Sequence, residues 1–221
     1  MRRTVRIWDL PTRVFHWALA LAVAGLVATA YLPGSLIVWH SRLGYAVTAL
    51  LLFRLVWGFV GGHWSRFGAF LYSPASVLAY LRGRAHPDHL IGHTPLGAAS
   101  VFAMLAVLLA QVGSGLIADD EIAFTGPLNR YVSSAIGLAA TWYHKEVGQW
   151  LVLALAGLHI AAVLYYLQRK RENLIGPMVF GDKQVSGDVR SSRDDGRSRL
   201  VALAVLCASA ASVYLLVTLA G

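Results

Sequence analysis

The chain has 221 residues, 57% of them hydrophobic and 14% charged, with a mean hydropathy of +0.59 and a formal net charge of +8. A soluble domain of this length is rarely so apolar. The distribution of the positive charge argues against nucleic acid as a partner, because the basic residues fall in alternate loops.

Five apolar runs have the roughly 18–20 residues needed to cross a bilayer. They are Phe15–Leu32, His40–Gly61, Pro95–Ile117, His144–Leu167 and Leu200–Leu219. Arg2, Arg3, Arg6 and Arg13 precede the first. The Ala28-Thr29-Ala30 triplet has the small-x-small form of a signal-peptide cleavage site. The run is long, however, and opens on the bulky Phe15-His16-Trp17, so it reads as a retained span. Pro33-Gly34 predicts a tight turn after it, and the loop 33–39 has no Lys or Arg.

After the second span, residues 65–93 form a basic loop with Arg66, Arg82 and Arg84, and Pro74 marks a short interfacial helix within it. The segment 118–143 is acidic at Asp119-Asp120-Glu121 and is broken by Gly126-Pro127, with room for a short helix after the break. Lys183–Arg199 is rich in Arg, Ser, Asp and Gly and reads as a mobile linker to the fifth span. The alternation of basic loops predicts a multi-pass protein of the bacterial inner membrane, N-terminus cytoplasmic and C-terminus periplasmic. The lone Cys207 excludes an internal disulfide and reads as a packing residue. There is no C-x-x-C-H for covalent haem and no cysteine set for an iron–sulfur cluster.

The residues that carry chemistry are histidines near span ends, where an imidazole is costly in lipid. With the N-terminus inside, His16 and His159 lie at the inner level, and His40 and His144 at the outer. His144 and His159 are fifteen residues apart on one helix, about 22 Å along the axis and about 60° around it. Imidazole is a good iron ligand, so two stacked metal sites are expected, His40 with His144 and His16 with His159. The spacing cannot chelate a single zinc ion, and there is no H-E-x-x-H. Gly44 and Gly148 each follow an outer histidine by one turn and would give clearance for a porphyrin. His93 and Gly97 repeat that spacing, which makes His93 a competitor for the inner level. His63 is assigned to the interface, and His86 and His89 to solvent. Arg54 lies about 21 Å below His40 and within about 40° of its face. It is expected to meet an anion such as a haem propionate. Arg42 is expected to snorkel to the outer surface.

Several stretches resemble the bacterial cytochrome b561 superfamily, which includes the b-type cytochrome subunits of nickel–iron hydrogenases and formate dehydrogenases. They are Ile7-Trp8-Asp9-Leu10-Pro11-Thr12-Arg13-Val14-Phe15-His16-Trp17, Arg54-Leu55-Val56-Trp57-Gly58-Phe59-Val60-Gly61, Gly92-His93-Thr94-Pro95-Leu96-Gly97, and the His144 and His159 pair. Glu172-Asn173-Leu174 and Met178-Val179-Phe180-Gly181-Asp182-Lys183 also look familial. The resemblance implies an all-α transmembrane bundle, with a four-helix haem-binding core over residues 1–183. Residues 184–221 would add a linker and a fifth span. It implies two non-covalent, bis-histidine haem b groups on His16, His40, His144 and His159, with His93 not a usual ligand.

The expected function is electron transfer between the quinone pool and a periplasmic c-type cytochrome or a dehydrogenase or hydrogenase subunit. Two other readings stand beside it: a small-substrate oxidoreductase of the superoxide-oxidising kind, acting at the outer haem, and a non-redox membrane protein. Arg42, Lys145 and Arg130 would attract an anion to the outer side, and Asp119, Asp120 and Glu121 oppose that.

Overall fold

A computed structural model describes residues 2–32, 36–84, 86–122 and 124–220. The turn expected at Pro33-Gly34 lies outside the described residues. The fold is an all-α transmembrane bundle with one two-stranded sheet. In chain order the elements are β1 (Arg2–Arg6), α1 (Leu10–Tyr31), α2 (Ile37–Val60), α3 (Pro74–Leu81) and α4 (Pro95–Ile117). They continue with α5 (Ser134–Trp142), α6 (Gln149–Tyr165), α7 (Ile175–Phe180), β2 (Asp182–Ser186) and α8 (Gly196–Ala220).

Among the described residues, five helices are long and apolar enough to cross a membrane: Leu10–Tyr31, Ile37–Val60, Pro95–Ile117, Ser134–Lys170 and Gly196–Ala220. The fourth is longer than expected. It starts at Ser134, with Ser133 as its N-cap, and passes through a π-helical turn at Tyr143–Gly148 before α6. A second π-helical turn, Tyr166–Lys170, ends it.

The chain divides into two compact units. The first comprises Met1–Phe15, Arg54–Ala103 and Gly157–Val205. Here β1 pairs antiparallel with β2, from Arg2 opposite Ser186 to Arg6 opposite Asp182. Val5, Ile7, Trp8, Val185 and Val189 are buried together, with Trp64, Ile91 and Met178 packed on them. The stretch expected to be a mobile linker is therefore folded. Val185 and Val189 give it apolar anchors that its polar composition obscures. The Ser192 amide and hydroxyl donate to the carbonyls of Arg6 and Ile7, at 2.7 Å each, and Trp64 Nε1 donates to Arg190 O at 2.7 Å. Asp194 meets Arg6 at 3.4 Å and Arg199 at 3.1 Å. Asp195 accepts from Ser198 N at 2.7 Å, which starts α8.

Gly181 closes α7 at φ 92°, and its carbonyl accepts from the amides of Ile7 and Trp8. A Cβ there would stand 2.7 Å from Trp8 O, so both the backbone conformation and the close approach require glycine.

Asp9 organises the start of α1. Its carboxylate is fully buried and accepts from Thr12 N (2.8 Å), Trp57 Nε1 (3.2 Å), Gly62 N (3.0 Å) and Ser65 Oγ (2.6 Å). The bond to Thr12 N caps the helix, and the others join α1 to α2 and to the turn that follows α2. The interfacial helix is present as α3, with Ser73 as N-cap and Pro74 in its first turn.

The second unit comprises His16–Phe53, Met104–Ala156 and Leu206–Gly221. Asn129 Nδ2 donates to Ile117 O at 2.9 Å, and Thr141 Oγ1 bonds both backbone groups of Asp119. These contacts fold the segment between α4 and α5 back over the end of α4. Arg130 reaches Leu219 O at 2.6 Å and ties down the end of α8. Cys207 is exposed on α8 instead of packed.

Candidate haem site

The second unit brings His40 and His144 together. Their ring centroids are 6.1 Å apart and their planes lie at 78°. His40 projects from the first turn of α2, and His144 from the π-helical turn between α5 and α6. Such turns recur at functional positions because they re-aim a side chain without breaking the helix.

Each ring is held through Nδ1. His40 Nδ1 lies 3.2 Å from Leu26 O and 3.1 Å from Thr29 Oγ1. His144 Nδ1 lies 2.9 Å from Gln111 O and 3.2 Å from Ser114 Oγ. A backbone carbonyl only accepts, so Nδ1 carries the proton in both rings and Nε2 is left with its lone pair.

The rings line a cavity of about 590 Å³, together with Gly44, Gly115, Thr29 and Gln111. Gly44 has open space where its Cβ would be. Gly148 serves a different purpose from the clearance expected of it. A Cβ there would overlap Gln111 Oε1, and Gln111 Nε2 donates to His144 O at 3.1 Å. The glycine that the His144 ring needs is Gly115, where a Cβ would stand 3.1 Å from Cε1 and 3.4 Å from Nδ1. Gly115 lies on α4, and no spacing from His144 along the chain points to it.

The other expected residues fall elsewhere. His16 belongs to the second unit and meets the Trp17 ring edge-on at 5.1 Å. His159 is a half-buried residue of α6 in the first unit. His93, also in the first unit, is packed between Trp8 and Phe70, with centroids at 4.6 and 4.4 Å. Arg54 is only 3% exposed, and its guanidinium lies 4.6 Å over the Phe67 ring. Asp9 is the carboxylate in its electrostatic surroundings. Arg54 Nη1 is buried without a hydrogen-bond partner among the described residues. Asp9, within a familial stretch but given no role from sequence, is thus the buried anion of this region. His63 sits in a short 3-10 turn against Trp64. Burial, with Arg190 and Arg66 nearby, holds it below the usual imidazole value. Arg42 stacks over Trp39 at 5.2 Å.

The profile of the prokaryotic cytochrome b561 family matches residues 7–181. The chain belongs to this family. It is 24% identical to a probable Ni/Fe-hydrogenase B-type cytochrome subunit of Bradyrhizobium diazoefficiens, over 83% of this chain and 87% of that protein. A protein of the same name from Azotobacter vinelandii is 26% identical, over 83% and 90%. The probable Ni/Fe-hydrogenase 1 B-type cytochrome subunit of Escherichia coli K12 is 25% identical, over 79% and 88%. No solved structure gives a significant match.

A multi-pass membrane cytochrome b implies haem, and the His40 and His144 site fits it on three grounds. A metal–imidazole bond is about 2.0–2.1 Å long, so two rings on opposite sides of one metal have centroids roughly 6–6.5 Å apart. The observed 6.1 Å lies in that range. Both rings have the tautomer that ligation through Nε2 needs, with Nδ1–H given to a carbonyl. The cavity is of the size, about 300–1,000 Å³, that small-molecule and cofactor sites occupy.

Proposed function

We propose that this cytochrome holds two haem b groups and carries electrons across the bacterial inner membrane, between the quinone pool and a redox partner at the periplasmic side. The observation that carries the reading is the 6.1 Å approach of the His40 and His144 rings with both Nδ1 atoms committed to carbonyls. His40 and His144 hold the outer group. The inner one is assigned to His16 and His159 from their positions along the sequence of the spans. Arg54 Nη1 offers a buried cationic donor for a carboxylate beside the inner group. Bound haem would supply a one-electron iron couple, and the paired imidazoles would hold it in a way that favours electron transfer over small-ligand binding.

The chain contributes spacing, ligand orientation and a low-polarity surround, with lipid around its five spans. The alternation of basic loops supports a cytoplasmic N-terminus and a periplasmic C-terminus. Residues 1–183 form the electron-carrying part, and residues 184–221 brace it. The names of the relatives favour a hydrogenase subunit as partner over a c-type cytochrome. The cavity lining carries Asp120 and Glu146 beside Lys145, a mixed charge that favours a docking protein over an anion such as superoxide.

The test is a reduced-minus-oxidised spectrum of the purified protein with a haem-to-protein ratio. Two b-type haems per chain are expected, and their absence ends the proposal.

A further inference from the structure

The two histidine rings are clamped in the same way from different helices. On α1, Leu26 O and Thr29 Oγ1 hold His40 Nδ1; on α4, Gln111 O and Ser114 Oγ hold His144 Nδ1. In each pair a carbonyl is followed three residues later by a hydroxyl, so both groups face the ring from one side of one helix. Each hydroxyl has a single hydrogen. Thr29 gives its hydrogen to Gly25 O at 2.8 Å or Leu26 O at 3.0 Å, and Ser114 gives its own to Gln111 O at 2.9 Å. The hydroxyl oxygen is therefore left as an acceptor, and each Nδ1–H is shared between a carbonyl and a hydroxyl.

Bonding back to a helix carbonyl is ordinary for Ser and Thr. Ser41, Thr48, Ser212 and Thr218 all do so, with no histidine nitrogen among their bonds. Thr29 and Ser114 differ in that the oxygen so oriented meets an imidazole.

We infer that the hydroxyls of Thr29 and Ser114 are positioning groups that fix the His40 and His144 ring planes and lower the redox potential of the group these rings hold. The inference rests on the bis-histidine reading of the site. A second acceptor on Nδ1–H resists rotation of the ring about its single hydrogen bond. It also draws the proton outward and makes Nε2 more electron-rich, which favours the oxidised metal. A hydroxyl whose own hydrogen is already donated is the stronger acceptor.

The experiment uses the full-length, haem-loaded protein. Thr29→Val and Ser114→Ala keep close to the native shape and remove the hydroxyl; Thr29→Ser and Ser114→Thr restore it. Haem content, the midpoint potential of the outer haem and the ferric EPR spectrum are read for each. The expected result is an upward potential shift and an altered EPR g-anisotropy in Thr29→Val and Ser114→Ala, larger in the double variant, with wild-type values in Thr29→Ser and Ser114→Thr. Loss of haem in the Val and Ala variants with retention in the rescued ones also supports the inference. Unchanged potential and EPR, or equal loss of haem with and without the hydroxyl, overturns it. A separate result, full haem content in His40→Ala, would instead overturn the bis-histidine reading.

Discussion

The imidazole planes of His40 and His144 stand nearly perpendicular, at 78°. Ring planes crossed in this way would leave the d orbitals of an iron that they held close in energy. A ferric, low-spin site of this kind gives a strongly anisotropic EPR signal, with one feature at large g. That signal is expected from the outer haem and should vanish in His40→Ala and in His144→Ala, with total haem content falling by half. Loss of all haem in either variant would show that the two sites do not fill independently.

Gly115 sets how closely α4 approaches the His144 ring. In Gly115→Ala the new methyl stands 3.1 Å from Cε1 and has to displace the imidazole. The outer haem should be partly lost and its absorption shifted. Gly157 has no neighbour within 4 Å of its Cβ position. Gly157→Ala should therefore be neutral for haem and stabilise α6 by about 0.5–1 kcal/mol through lower backbone entropy in the unfolded chain. Equal haem spectra in the two variants would remove Gly115 from the site.

Asp9 and Arg54 are buried charges of opposite sign in one unit. Asp9→Ala strands the donors of Thr12, Trp57, Gly62 and Ser65. The loss should be at least about 1–3 kcal/mol, as for a buried donor left unsatisfied, and thermal unfolding in detergent would measure it. Arg54→Ala should lower the potential of the inner haem, because a removed positive charge disfavours the electron-rich state. A wild-type potential in Arg54→Ala would limit the arginine to its packing over Phe67.

His159→Ala should abolish the inner haem signal. His93→Ala should keep a low-spin bis-histidine spectrum, because the packing of His93 between Trp8 and Phe70 gives it an ordinary structural role. The reverse pattern of haem loss would replace His159 with His93 as the partner of His16.

His63 gives a pH dependence with a definite sign. Its folded value is lowered from 6.5 by burial first, and then by Arg190 and Arg66. Below about pH 6.5 the unfolded chain takes up a proton that the folded one resists, so stability falls as pH drops through this region and levels off above it. In His63→Gln that decline should be smaller, as thermal unfolding on either side of pH 6.5 would show.

Composition and hydropathy alone mark five segments long and apolar enough to cross a membrane, because a bilayer demands length and apolarity whatever the neighbours are. The familial stretches around His16, Arg54 and His93 carry the family in the same local way. The expected third span agrees with α4 residue for residue, and the fourth begins ten residues earlier than the hydropathy shows, because α5 continues through the π-helical turn. That turn leaves no mark in hydropathy, and it sets where His144 points. Other features depend on groups far apart in the chain. Only the tertiary structure pairs β1 with β2, so that residues 182–192 fold on the N-terminus although their composition reads as linker. Only it makes Asp9 a hub, brings Gly115 against His144, and sets Thr29 and Ser114 beside the two imidazoles. The physical reason is range. Burial in lipid is a property of a segment, whereas a hydrogen bond or a close approach depends on a few tenths of an ångström between helices, and that is decided by packing.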